Sequence, residues 1–331
     1  MTARLMLARL MLARLMLAAL AVGLAMSFTP AHAQPYPSAD IHLISGFAPG
    51  SGADVMVRYF GEKLRLLTGR TTVVENKPGA NGNIAIEYTA RAKPDGYTIL
   101  VHAGSGIAGN QHLFKKPPID AAKQLRVAAT INRQAFMLTV TPDSPYKSVA
   151  ELVAAMKAKG DKASYGSNSV QSKIAGALFK KAAGLEAVEV QYKSGPDTMR
   201  EQQSGAIDYA FHDPQLASVQ AKQGRLRLLA VASGTRMKMA PDLPTLAESG
   251  YPQFNLVGWF AATVPAATPE PVVRQINAWF NEILAADESR DFLNTFGSDV
   301  WISSPEEAQA FFLQDIKTWG ENVKLSGVEP Q

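Results

Sequence analysis

The apolar positions of this chain change period repeatedly, and each change marks the passage between a strand and a helix. An apolar run at 41–44 predicts the first strand, and apolar residues then recur at the three- and four-residue spacing of a helix. Those helical positions are Val55, Tyr59, Phe60, Leu64 and Leu67. β-rich runs at 72–76 and 97–102, with a short helix over 84–92 between them, repeat the alternation. Such short cycles predict a parallel α/β sheet.

The second half of the chain alternates in the same way. A helix over 149–159 precedes the strands predicted at 163–166, 187–192, 207–211 and 226–232. An extended aromatic segment follows at 254–264, and the clearest amphipathic helix spans 270–286. The last helix is predicted to begin after Ser304, because Ser304 and Glu307 have the spacing of a capping box.

The first 33 residues have the pattern of a signal peptide. Three arginines precede an uninterrupted run of apolar and small residues over 15–28, and Ala31-His32-Ala33 has the form of a cleavage site. We therefore expect cleavage after Ala33 and export of the mature chain. The alternative is a retained membrane anchor, which would need roughly 18 or more uncharged apolar residues.

Composition narrows the classes of partner and of chemistry. The chain has 33 Lys and Arg against 29 Asp and Glu, and removal of the signal peptide leaves 30 basic residues, so the mature protein is nearly neutral. A neutral surface argues against nucleic acid as a partner. The chain contains no cysteine, which excludes disulfides, thiolate metal sites and a cysteine nucleophile. The mature chain is long enough for a large core divided into two lobes.

One stretch, Ser45–Asp54, carries candidate chemistry. Its sequence SGFAPGSGAD joins the first predicted strand to the first predicted helix, and glycines keep Cβ atoms away from the turn. Free backbone N–H groups at a helix N-terminus can bind a carboxylate or a phosphate. The third glycine of a dinucleotide-binding loop and the Gly-Lys-Ser/Thr of a P-loop are both missing. An anion site without a nucleotide signature and an ordinary strand–helix turn both remain open.

Several stretches together resemble the Bug proteins, the periplasmic solute receptors of tripartite tricarboxylate transporter systems. They include YPS at 36–38, GFAPGSGAD at 46–54, VVENKPGANGN at 73–83 and KPDGYTIL at 93–100. Further matches at 147–152, 190–195, 224–231 and 241–250 extend the resemblance over the mature chain in order, and it is this order that makes the set specific.

The resemblance implies a two-lobed type II periplasmic-binding-protein fold with the ligand cleft between the lobes. Lobe one would comprise residues 34–140 and 258–331, and lobe two residues 141–257. The protein would capture a di- or tricarboxylate, an amino acid or an aromatic acid in the periplasm by lobe closure. It would then deliver the ligand, as a monomer and without a cofactor, to membrane transporter subunits. A sensor-kinase ectodomain is the alternative partner.

Position by position, the resemblance assigns ligand contacts to loops at the ends of strands. In lobe one these are Phe47, Ala48, Gly52, Ala53, Asp54, Gly104 and Ser105. In lobe two they are Ser169, Ser172, Lys173, His212 and Asp213. Lys173 stands where the family usually has histidine, and it either pairs with a second ligand carboxylate or is a solvated surface lysine. His212 either lines the cleft or packs within its own lobe.

Enzymatic alternatives have weaker support in the sequence. Ser105 lies in Ala-Gly-Ser-Gly-Ile, which lacks the first glycine of a hydrolase nucleophile elbow. No histidine pair has metal-ligand spacing. We therefore expect no catalytic residues and no metal site. A secreted hydrolase is the remaining enzymatic alternative.

Overall fold

The structure is a computed structural model that describes residue 16 and residues 36–252 and 254–330. Apart from residue 16, the predicted signal peptide lies outside the described residues, and so does its cleavage site. Met1–Ser38 and Ala39–Gln331 are separate structural units, and the strands and helices below belong to the second.

Strands and helices alternate along the described residues of this unit. The strands are β1 (Ile41–Ser45), β2 (Thr72–Asn76), β3 (Thr98–Ala103), β4 (Leu125–Ala135), β5 (Met137–Val140), β6 (Ser164–Ser167), β7 (Val188–Gln191), β8 (Tyr209–His212), β9 (Arg227–Val231), β10 (Val257–Pro265) and β11 (Asp299–Val300). The α-helices are α1 (Gly52–Thr68), α2 (Asn83–Ala90), α3 (Asn110–Leu113), α4 (Ala121–Gln124), α5 (Val149–Lys159), α6 (Val170–Ala183), α7 (Gly195–Gln203), α8 (Pro214–Lys222), α9 (Glu270–Ala285), α10 (Asp287–Thr295) and α11 (Pro305–Ser326).

The strands form two sheets. The first has six strands in the order β11-β4-β10-β3-β1-β2, and the second has five in the order β7-β6-β8-β5-β9. The predicted parallel pairing holds for β1 with β2 and β3, and for β6 with β7 and β8. The remaining pairs are antiparallel: β10 runs antiparallel to β3 and β4, and β5 runs antiparallel to β8 and β9.

The chain passes between the two sheets twice. Ala135 pairs in the first sheet and Met137 in the second, so the first passage lies at Phe136. This is a few residues before the lobe boundary predicted after residue 140, because β5, which ends at Val140, already pairs in the second sheet. The return comes just before Val257, which pairs with Ala135. Both ends of the described unit therefore contribute to the first sheet.

Each sheet has its own apolar core. Phe179, Phe211 and Phe254 lie in the core of the second sheet, and Trp259 and Phe312 lie in that of the first. The capping box of Ser304 and Glu307 is present at the start of α11, as predicted. Helix α10 was not predicted, because its sequence is strongly polar. None of the helices within the described ranges is long and apolar enough to cross a membrane.

Candidate ligand site

The glycine loop carries the chain from β1 into α1 at the carboxyl end of the first sheet. Ser51 caps the helix, and its hydroxyl accepts a hydrogen bond from the backbone N–H of Asp54 at 3.2 Å. Gly50 has a φ of +78°, which L-residues rarely adopt, whereas Gly52 lies outside that region. The N–H groups of Gly52 and Ala53 precede the first intrahelical donor, Val55, so they have no acceptor within the helix.

Asp54 stabilises this loop through hydrogen bonds, and its side chain does not line the cavity between the two sheets that is described below. Its side chain is buried and accepts hydrogen bonds from the Gly50 N–H (2.8 Å), Arg58 Nε (2.9 Å) and Asn76 Nδ2 (2.6 Å). Burial alone would raise the pKa of Asp54, but these hydrogen bonds outweigh it and lower the pKa. The negative charge of Asp54 is therefore neutralised within the loop. Its backbone N–H already donates to the hydroxyl of Ser51.

A buried histidine lies under the loops at this edge of the sheet. His102 lies near the end of β3, and its ring stacks on that of Phe47 with centroids 4.5 Å apart. A Cβ atom added at Gly46, Gly82 or Gly106 would come within 2.4, 2.2 or 2.3 Å of the imidazole. One ring therefore fills a cage formed by three glycines from three loops.

The cage also determines the protonation state of His102. Nδ1 donates a hydrogen bond to the carbonyl of Ala103 at 3.1 Å, so this nitrogen carries the proton. Nε2 is buried without a hydrogen-bond partner among the described residues. Burial lowers the pKa of His102 to about 4, and the ring is neutral at pH 7.

The second sheet presents helix N-termini at the carboxyl ends of its parallel strands. Ser169, Ser194 and Asp213 are the N-caps of α6, α7 and α8. A methyl group at Gly195 would lie 3.7 Å from both Asn168 Nδ2 and Asp213 Oδ2. The three helix starts therefore lie side by side, with Asp213 among them.

The predicted lobe-two residues have different surroundings. Ser172 is fully buried, and its hydroxyl accepts hydrogen bonds from the backbone N–H groups of Asn168 and Ser169, each at 3.0 Å. Lys173 Nζ lies 3.8 Å from Glu189, beside a separate cavity of about 340 Å³ that Ser169 also lines. Lys173 therefore lies beside a different cavity from Gly52 and Ala53, and its pairing with a second ligand carboxylate stays a prediction.

His212 packs within the second sheet. It is fully buried and donates from Nε2 to the amide oxygen of Gln202 at 3.0 Å, while Gln202 donates to the carbonyl of Thr139. Burial lowers the pKa of His212 to about 4. Of the two alternatives considered for His212, the structure matches packing within its own part of the protein.

The two sheets face each other across a cavity of about 160 Å³. Gly52 and Ala53 line one side, and Asp213 and Gln215 line the other. A methyl group at Gly52 would lie 3.5 Å from Gln215 Oε1, so the two walls nearly touch at this point. The volume corresponds to roughly five water molecules. Loops that are distant in sequence thus border a partly open pocket with space for a small organic ligand.

A smaller enclosed cavity of about 50 Å³ lies beside the passages between the sheets. It is lined by the predicted residue Ser105 and by Asp315, which sequence reasoning missed. Trp259 Nε1 donates to Asp315 at 2.7 Å. Burial raises the pKa of Asp315 to about 6, although the indoles of Trp259 and Trp319 oppose the shift. Gly104 packs on the indole of Trp259, while Phe47 and Ala48 line neither cavity.

Comparison with known proteins connects this geometry to a family. Residues 56–328 match the family model described as tripartite tricarboxylate transporter family receptor. A UPF0065 protein of Bordetella bronchiseptica is 33% identical over 313 residues, which cover 93% of this chain and 91% of that protein. Protein BugT of Bordetella pertussis is 27% identical over 303 residues, which cover 91% of this chain and 93% of that protein.

Two solved structures are similar over most of the chain. The structure of R. palustris Rpa4515 with adipate has 26% identity and a TM-score of 0.76, and that of periplasmic binding protein BugD has 29% identity and a TM-score of 0.72. Each comparison covers 89% of this chain and 100% of the solved one.

Proposed function

The chain belongs to the tripartite tricarboxylate transporter receptor family, and from that premise we propose that it captures a small carboxylate in the periplasm and delivers it to a membrane transporter. The observation that carries the proposal is the cavity that Gly52 and Ala53 share with Asp213 and Gln215. Open α/β sheets bind ligands at the carboxyl ends of their strands, where this cavity lies.

The ligand's carboxylate would bind to the N–H groups of Gly52 and Ala53 at the start of α1. These donors have no acceptor in the helix, and the positive end of the helix dipole favours an anion there. The adipate in Rpa4515 supports a carboxylate as the ligand class. Phe47, Ala48, Gly104 and Ser105 would act from the surrounding loops by shaping the first-sheet wall.

Lobe closure would complete the site. In this proposal, one lobe contains the first sheet, and its first boundary moves from residue 140 to the passage at Phe136. The other lobe, residues 137–257, brings Asp213 and the N-caps of α6 and α7 to the ligand. Closure would exclude water and present a transporter-binding surface.

The remaining parts of the proposal concern processing and partners. Cleavage after Ala33 would release the mature receptor, which would act as a monomer and without catalysis. Transporter subunits are the proposed partner, and a sensor-kinase ectodomain would receive the same closed form in the alternative. A hydrolase has no support at Ser105, since no hydrogen bond joins its hydroxyl to a histidine among the described residues.

Calorimetric titration tests the proposed function. Protein refolded from denaturant, to remove bound ligand, is titrated with small mono-, di- and tricarboxylates and amino acids, and with uncharged sugars as controls. Saturable binding of an acid without turnover is expected.

Gly52→Val should abolish this binding, because its branched side chain would fill the gap to Gln215. Gly52→Ala is the matched control, since its methyl group meets only ordinary contacts at 3.5 Å. Binding of sugars but not acids, or wild-type affinity in Gly52→Val, would overturn the proposal.

A further inference from the structure

The charges around the cavity between Gly52 and Asp213 are one-sided. Among the described residues that line it, Asp213 is the one ionisable side chain, and no lysine, arginine or histidine faces it. Lys173, a candidate partner for a second ligand carboxylate, lies at another cavity and beside Glu189. The ligand must therefore bring any positive charge itself.

Asp213, which is partly buried, differs from Asp54, the buried carboxylate of the glycine loop. Asp54 is neutralised by Arg58 and by two further donors. Asp213 accepts the cap hydrogen bond from the Leu216 N–H at 2.9 Å but has no ion pair with a described residue. Burial raises the pKa of Asp213, while the backbone donors at the start of α8 oppose the shift. A partly buried carboxylate with no cation beside it can accept a charge-assisted hydrogen bond from an incoming ammonium group.

We propose that the ligand of this cavity is an amino acid whose ammonium group binds Asp213 while its carboxylate binds the N–H groups of Gly52 and Ala53. The inference rests on the proposed function and deepens it. A second carboxylate on the ligand would meet Asp213 as a like charge, whereas an ammonium would form a charge-assisted hydrogen bond.

A neighbouring acceptor strengthens the assignment. The amide oxygen of Asn168 is buried without a hydrogen-bond donor among the described residues, and its side chain lies next to Asp213 across Gly195. An ammonium has three N–H donors, which exceed what one carboxylate oxygen needs. A small shift of Asn168 on ligand binding would allow the same ammonium to satisfy both acceptors.

The capping role of Asp213 provides a clean test. Asparagine caps helices about as well as aspartate, so Asp213→Asn keeps the hydrogen bond to Leu216 and removes only the charge. Should that variant fold poorly, Asp213→Ser retains a capping hydroxyl and repeats the test. Asp242→Asn makes the same chemical change at an exposed position outside the cavity.

The experiment compares acids that differ in one ammonium group: succinate with aspartate, glutarate with glutamate, and propionate with alanine. In calorimetric titrations of refolded protein, at least one amino acid should bind tenfold or more tightly than its deaminated partner. Asp213→Asn should abolish that preference, and Asp242→Asn should retain it.

Equal or tighter binding of the deaminated acids to the wild type would overturn the inference and leave carboxylate capture intact. An unchanged preference in Asp213→Asn would overturn the role of that residue. Failure of every acid and amino acid to bind would overturn the proposed function, and the inference with it.

Discussion

The close packing of three glycines around His102 predicts that substitutions at Gly106 and His102 will have coupled effects on the free energy of unfolding. Gly106→Ala places a methyl carbon 2.3 Å from His102 Cε1, more than 1 Å inside the ordinary carbon–carbon contact of about 3.5 Å. Relief requires the imidazole to move, but Phe47 stacks on one face of it. Overpacking of this kind costs about 1–3 kcal/mol, so we expect Gly106→Ala to lower the free energy of unfolding by about 2 kcal/mol.

Removing the ring should relieve that clash. His102→Ala alone should cost about 2 kcal/mol, because a buried side chain leaves a cavity. In the double variant the new methyl group occupies part of that cavity, so the total loss should stay near 2 kcal/mol rather than about 4. The expected coupling of about 2 kcal/mol is well above the roughly 0.5 kcal/mol by which independent sites depart from additivity.

Urea unfolding followed by circular dichroism at pH 7 measures all four proteins. Gly52→Ala is the control glycine, because its methyl group meets nothing closer than 3.5 Å and should be additive with His102→Ala. An unchanged midpoint for Gly106→Ala, or strict additivity with His102→Ala, would refute the cage.

Two further stability predictions follow from the buried and capping groups. Between pH 6.5 and 4, His102 and His212 take up protons in the unfolded chain but stay neutral in the folded protein, where both are buried. Acidification over this range should therefore lower the free energy of unfolding by up to roughly 3 kcal/mol for each histidine. Asp315, with its pKa raised to about 6, acts in the opposite direction by a similar amount of about 3 kcal/mol, leaving a net loss. Urea midpoints at pH 7 and pH 4.5 measure this, and equal stabilities would contradict it. Ser304→Ala should lower the free energy of unfolding by about 1 kcal/mol, because the Glu307 N–H loses its capping acceptor. Thermal melts check it against Ser304→Asn, which should remain close to the wild type.

Local pattern was sufficient for much of the fold. The amphipathic helix predicted over 270–286 appears as α9, and the strand predicted at 72–76 has those bounds in the structure. These elements are recognisable because each buries one face, which imposes a period on the apolar positions. The helix α10 was missed because its sequence, DESRDFLNT, has only two apolar residues. The change of sheet at Phe136 was not predicted either, since apolar character alone does not identify the neighbouring strand.

The amino-acid sequence was enough to establish the alternation of strands and helices, the glycine loop before α1 and the resemblance to a receptor family. The tertiary structure alone shows which of the candidate side chains are neighbours. There, Asp213 lies opposite Gly52, Lys173 lies beside Glu189, and His212 packs against Gln202. Helix caps and loops have local sequence signals, but the charge that a cavity presents depends on contacts between residues far apart in the chain. Folding creates those contacts, and no periodicity along the chain records them.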